Sequence, residues 1–434
     1  MVAPEVQLGS GQMRIFNARW VGRTGAVHEG ELFVQNGRWC DHAPDDTAVL
    51  DAQGLLLCPG IVDPHVHFRE PGALHKEGIV SGCHAALAGG VTTILEMPNT
   101  VPVCSTPAAY AQKRALYQEK CPMRWGLHYQ AASGEQWPPG GPVASAKIYM
   151  AKSSMNDAVV SEEAVREVFA RFSRVAVHAE DETAFCSVLP PEVDPARAHH
   201  VRRPVEAIAA ALRTLENALK SSPEAAKTRL ILCHVGTALE VDWVRRMKQE
   251  GFDLWAETCP HYLLLTDEDY MALGDGLKVN PPLRSRANAD AVLQGLADGV
   301  VDFLATDHAP HTREEKAVGA GAPSGIASAE VLLPLALGLT GQFVSSERLW
   351  DALCTRAAHA YQLPSVGAIE HGHWADFSLV RLGDFAAPEV ITKAAWHPYL
   401  KQRFGHRVER TYVGAELRYD AGTLVMGQGR EVYE

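Results

Sequence analysis

Several apolar runs of the chain end in side chains that can bind a metal ion. Asp63-Pro64-His65-Val66-His67 closes one run, and the two-residue spacing puts both imidazoles on one side of an extended backbone. His178, His234 and Asp307 each close a separate run, and Lys147 sits inside another, Ala146–Met150. A single histidine at such a place is ordinarily a packing or surface residue; a set recurring on five runs points to one shared site. The chemistry such a set supports is metal-assisted hydrolysis. Two divalent cations roughly 3.5–4 Å apart share a water, lower its pKa towards ~7 and polarise a carbonyl. Four neutral imidazoles and one carboxylate would balance two such cations poorly, so a bridging anion is needed. Lys147 becomes one if CO₂ converts its amine to a carbamate. With that carbamate, Asp307 and hydroxide, the site sums to about +1, which favours an anionic substrate. Lys147 lies in the apolar stretch Val143–Met150, where a lysine without a partner is rarely buried; Lys152, in the polar loop that follows, is the competing candidate.

The elements that position these residues read as alternating strands and helices. The apolar runs are Pro59–Val62, Val91–Met97, Met123–Gln130, Ala146–Met150, Arg174–His178, Leu230–His234, Phe252–Thr258 and Val301–Thr306. Helical patterns separate them at Val80–Ala88, Ser161–Phe172, Pro204–Leu219, Leu239–Gln249 and Ala287–Leu296. Parallel βα units in this number close into a TIM-like (β/α)8 barrel, whose sites form at the C-terminal strand ends. An open doubly wound sheet would need a glycine-rich turn after its first strand. Here Gly319, Gly321 and Gly325 follow the last run with the wrong spacing. Both ends of the chain read as β structure: Arg14–Val21 and Glu31–Cys40, with an Asn36-Gly37 turn, then Ala375–Arg381 and Val408–Tyr419 around Gly414. The expected organisation is a barrel over residues 58–365 and a small β-sandwich domain built from 1–57 and 366–434.

Composition excludes several classes. The 434 residues are 47% hydrophobic and 21% charged, a globular balance. A net charge of −12 argues against a nucleic-acid-binding face. The nine cysteines form no C-x-x-C pair, so a reducing cytoplasm is the expected setting. No apolar stretch reaches the ~18 residues of a membrane span.

Longer motifs carry a resemblance. Pro59-Gly60-Ile61-Val62-Asp63-Pro64-His65-Val66-His67-Phe68-Arg69-Glu70-Pro71-Gly72, Met97-Pro98-Asn99-Thr100, Lys147-Ile148-Tyr149-Met150 and Val177-His178-Ala179-Glu180 occur in order. Cys233-His234-Val235, Glu257-Thr258-Cys259-Pro260-His261-Tyr262, Val279-Asn280-Pro281-Pro282-Leu283-Arg284 and Ala305-Thr306-Asp307-His308-Ala309-Pro310-His311 follow. The chain resembles the dihydroorotases of the amidohydrolase superfamily along essentially the whole barrel. The resemblance implies two Zn²⁺ ions, one held by His65, His67 and Asp307, the other by His178 and His234, bridged by carboxylated Lys147 and hydroxide. It places Arg69, Asn99 and His311 around a substrate carboxylate, and Asn280 and the backbone near Pro323–Gly325 against the ring amides. It makes Asp307 the proton shuttle for reversible closure of N-carbamoyl-L-aspartate to dihydroorotate in pyrimidine synthesis. A homodimer and an association with aspartate transcarbamoylase are further expectations of the resemblance; no nucleic-acid or membrane partner is implied. Allantoinase or hydantoinase activity is the alternative enzyme reading, opposed by Arg69 and Asn99. A non-catalytic scaffold is the other, opposed by the complete ligand set.

Other chemistry-bearing residues read as structural. Cys259 and His261 shape the loop after the seventh run, and His308 points away from Asp307 by alternation. His199-His200 with Arg202-Arg203 precede a helix, Glu162-Glu163 suit a helix N-terminus, and His371 and His373 belong to the terminal domain.

Overall fold

The computed structural model describes residues 12–42, 47–131, 142–152 and 161–433. Its centre is a ring of parallel strands: β1 (Ile61–Val66), β2 (Val91–Glu96), β3 (Arg124–Leu127), β4 (Ala146–Tyr149), β5 (Arg174–His178), β6 (Arg229–Leu232), β7 (Leu254–Thr258) and β8 (Phe303–Leu304). Strands β1 to β3 pair in order, as do β4 to β8. The pair Tyr129–Gln130, just past β3, carries the ladder across to β4. The ring closes where Val66 bridges His308 and the His67 N–H donates to the His308 carbonyl at 2.8 Å. His308 thus serves the closure, a structural role as expected.

These strands are buried on both faces, which is why they read as apolar runs without alternation. One face of each still points inward. Val62, Leu95, Ala176, Ile231 and Phe303 pack together in the barrel interior with Tyr361. His178 lies two residues beyond Ala176 on β5, so the strand period carries its ring to the interior side at the mouth. Lys147 pairs in register with Ala176 and enters the same interior. Outside, amphipathic helices cover the ring. Glu162–Arg171 starts at Ser161, whose hydroxyl accepts from the Ala164 N–H, and buries Val165, Val168 and Phe169. Glu162 and Glu163 occupy its first turn, the dipole role expected of them.

The two ends of the chain meet in one mixed nine-stranded sheet that forms the β-sandwich domain. Leu56–Pro59 pairs antiparallel with Phe377–Ala386, joining the N-terminal strands to the C-terminal ones. Ile15, Val34, Trp39, Leu57, Phe377, Leu379 and Tyr412 form its core. At the Asn36-Gly37 hairpin both residues take positive φ, 54° and 71°, as a primed turn requires. One C-terminal segment goes elsewhere: Arg430–Glu431 pairs in parallel with Arg124–Trp125 of β3. It occupies the side of β3 that faces away from β2, and buried Glu431 accepts from the Arg114 guanidinium at 2.7 Å. Among the described residues, no helix is long and apolar enough to cross a membrane.

Candidate metal and substrate site

The C-terminal ends of the strands open into a cleft. His65, His67, His178, His234 and Asp307 all line it, as do Arg69, Asn99, Asn280 and His311. Lys147 does not reach the cleft wall. It is fully buried below it, and its Nζ donates to Cys233 Sγ at 2.8 Å. The competing Lys152 lines the cleft from an exposed position. The loop after it, residues 153–160, lies outside the described residues.

Local backbone geometry aims several of these groups. Arg69, His234 and Asp307 adopt positive φ values of 63°, 42° and 46°. Each such conformation costs a non-glycine residue roughly 1–3 kcal/mol, so the surrounding structure must hold it. Part of that hold comes from Asp63. Its buried carboxylate accepts from Thr306 N at 3.0 Å and Thr306 Oγ1 at 2.6 Å, fastening β1 to the segment that carries Asp307. Burial pushes the Asp63 carboxyl up to about 7.

The ring nitrogens converge without other partners between them. His65 Nε2 and His67 Nε2 lie 3.3 and 3.0 Å from the same oxygen of Asp307, and the ligand atoms of the three residues lie within 4.8 Å of one another. His178 Nδ1 faces His234 Nε2 at 3.0 Å. Burial pushes His65, His178 and His234 below the ordinary imidazole range, so they are neutral and offer lone pairs. Burial opposes ionisation of Asp307, but His65 and His67 outweigh it and hold the carboxyl well below the usual range. The remaining ring atoms are oriented from behind. His65 Nδ1 meets the buried Glu257 carboxyl, His67 Nδ1 lies 2.6 Å from Asn99 Oδ1, and His178 Nε2 lies 3.1 Å from Glu180 Oε2. Two buried imidazoles, each turned by a second group towards one carboxylate, fit a divalent cation at His65, His67 and Asp307.

The cleft also carries a buried cation. Arg69 is 5% exposed, its Nε has no hydrogen-bond partner, and no carboxylate among the described residues comes within ion-pair distance of it. His311 Nδ1 lies 3.0 Å from Lys76 Nζ, while its Nε2 donates to the Ser324 carbonyl at 3.1 Å. Burial, reinforced by Arg69, Lys76 and Lys316, pushes His311 far down and keeps it neutral.

Two residues differ from their sequence reading. Arg203, read as structural, lines the cleft, because its guanidinium reaches across to the buried Glu180 behind His178. Asn99 has a role that its sequence reading did not include: its carbonyl turns the His67 ring. Glu180, Glu257 and Tyr149 were not singled out as site residues at all. The only signal for Glu180 and Glu257 is a carboxylate inside an apolar strand or at its end, which an unassigned partner must balance. His261 is fully buried with neither ring nitrogen bonded, and its face packs on Tyr262. His199 Nε2 donates to the Val279 carbonyl at 2.8 Å, a structural role as expected.

Comparison with known proteins agrees with this geometry. The amidohydrolase family model matches residues 56–402. A dihydroorotase of Geobacillus thermodenitrificans is 34% identical over 424 residues, covering 94% of each chain. A dihydroorotase of Bacillus subtilis is 35% identical over 399 residues, covering 88% of this chain and 91% of that one. Among solved structures, an L-hydantoinase (dihydropyrimidinase) of Arthrobacter aurescens superposes with a TM-score of 0.86 at 26% identity, over 97% of this chain and 99% of that one. With its barrel, its strand-end histidines and aspartate, and this likeness over nearly its whole length, the chain belongs to the amidohydrolase family.

Proposed function

We propose that this cyclic amidohydrolase is a dihydroorotase, closing N-carbamoyl-L-aspartate to dihydroorotate and reopening it. The observation that carries the reading is Arg69. A buried guanidinium that lines the cleft with an unbonded Nε and no carboxylate partner is built to receive an anion from outside the chain. Dihydroorotate carries a carboxylate next to its ring amide; dihydrouracil and hydantoin carry none. Asn99 and His311 flank Arg69, and Asn280 with the Ser324–Gly325 backbone faces the ring.

Two divalent zinc ions, held by His65, His67, His178, His234 and Asp307 and bridged by a carbamate on Lys147, would supply Lewis acidity for the amide carbonyl and lower the pKa of water. The carbamate forms when the neutral Lys147 amine adds CO₂ and releases one proton. The chain's own residues do the rest. Arg69 fixes the carboxylate and so sets which ring bond faces the histidines. Asp307, kept ionised and 3.0 Å from His67 Nε2, takes the proton of the attacking water and hands it to the departing ring nitrogen. Ring closure runs the same transfers in reverse.

The test is a substrate panel on the purified, metal-loaded protein: dihydroorotate, dihydrouracil, hydantoin and allantoin. The reading expects kcat/KM for dihydroorotate to exceed the others by at least ~100-fold, about 2.7 kcal/mol of discrimination. Preference for an uncharged ring would assign the chain to the hydantoinases instead.

A further inference from the structure

The turn that follows the cleft residue His311 sends a lysine back into the protein. Thr312 opens the short helix Arg313–Lys316 with a capping box, its hydroxyl accepting from the Glu315 N–H and the Glu315 carboxylate accepting from the Thr312 N–H. That turn leaves Glu315 at the surface with His75 and Lys76, and drives Lys316 inward until it is 6% exposed.

The Lys316 ammonium there meets three backbone carbonyls and no carboxylate. It donates to Lys278 O at 3.0 Å, Pro323 O at 2.9 Å and Gly325 O at 3.1 Å. Three donors and three acceptors match one for one. The acceptors come from two segments that are far apart in the chain but form one wall of the cleft. Asn280 lies two residues past the first acceptor, and Ser324 lies between the other two. The two segments touch where Gly325 N donates to Lys278 O at 2.8 Å and Ser324 Oγ donates to Asn280 Oδ1 at 3.0 Å. Gly325 holds φ 131°, and a Cβ on it would lie 2.5 Å from the Ala309 carbonyl. The wall therefore has one backbone conformation, and the lysine ties it from behind.

We propose that Lys316 is a positioning residue for the substrate ring: its ammonium knots the 278–280 and 323–325 segments into the surface that the ring amides contact. It touches no metal ligand and reaches the cleft only from behind its wall, so its effect is on ring binding and leaves the chemical step alone. A buried lysine without a carboxylate partner is costly, and burial pushes this one down to about 7. A merely space-filling role would be served by an apolar side chain at less cost.

This inference rests on the cyclic-amide reading of the cleft, and the wild type separates the two. If it fails to turn over dihydroorotate, that reading alone falls, and the comparison below is made on whichever ring of the panel it does hydrolyse. The experiment measures KM, kcat and bound metal for the wild type, Lys316→Met and Lys316→Gln. The expected result is a KM raised at least tenfold in Lys316→Met, an intermediate KM in Lys316→Gln, whose amide brings two N–H donors against the three of an ammonium, and kcat and metal content within threefold of wild type. An unchanged KM overturns the proposal. So does a fall in kcat that tracks lost metal, and so does failure of both variants to fold, since either outcome makes Lys316 a support of the fold only.

Discussion

Nδ1 of His178 and Nε2 of His234 face each other at 3.0 Å, from two neighbouring strands of the barrel. Both rings are pushed towards the neutral form by burial, and Nδ1 of His234 has no other partner. One proton between them gives a single hydrogen bond; a cation between them would engage both lone pairs.

Chelation should therefore abolish activity and lower the melting temperature, and added zinc should restore both. A ligand at a hundredfold excess over its Kd contributes about 2.7 kcal/mol. Lys147→Ala should lower metal content to one ion or fewer per chain, and a short carboxylic acid should partly rescue it. Unchanged metal content by elemental analysis would rule out Lys147 as a bridging ligand.

Asp307→Asn keeps an oxygen ligand but loses the proton acceptor. Turnover should fall at least ~10²-fold with the fold and most metal retained. Activity within threefold of wild type, at equal metal loading, would remove the shuttle role.

Arg69→Met should cut kcat/KM for dihydroorotate by ~30- to 1,000-fold, matching roughly 2–4 kcal/mol for an anion left unpaired in a closed cleft. Any activity on dihydrouracil should change little. Equal losses on the two substrates would mean that Arg69 shapes the metal site instead.

Glu240 sets a pH dependence of stability. Burial raises its carboxyl from 4.5 to about 7, while Thr237 Oγ1 and Gly236 N donate to it. The folded state then binds more protons than the unfolded one between those values, so stability falls as pH rises through that window. Glu240→Gln should show nearly wild-type stability at pH 4.5 and a gain at pH 8 of no more than about 3 kcal/mol. Denaturant melts at the two pH values check the difference; equal effects at both would place the Glu240 pKa near its ordinary value.

The residues that meet in the cleft were legible in the sequence because a strand end is marked twice, by the apolar run that stops there and by the polar residue that stops it. His65, His67, His178, His234 and Asp307 carry both marks. The groups that orient them carry neither. Glu257 meets His65 across 192 residues, and Asn99 meets His67 across 32, so these pairings exist only once the ring has closed. The contact between Arg203 and Glu180, across 23 residues, likewise forms only once the chain has folded. Arg430–Glu431 is too short for any periodicity, and its partner strand lies some three hundred residues earlier.

That last pairing has a consequence for how the molecule is made. The ribosome delivers β1 to β8 in order, and each can dock on its predecessor as it emerges. The flank of β3, however, is covered by Arg430–Glu431, which is synthesised after the terminal domain's strands. A nascent chain holding all eight strands thus still exposes the backbone edge of Arg124–Trp125 and leaves Arg114 without its buried carboxylate partner. Completion of the wall comes late in synthesis and has high contact order, so the intermediate that precedes it presents an open strand edge, the kind of surface on which chaperones act and aggregates nucleate.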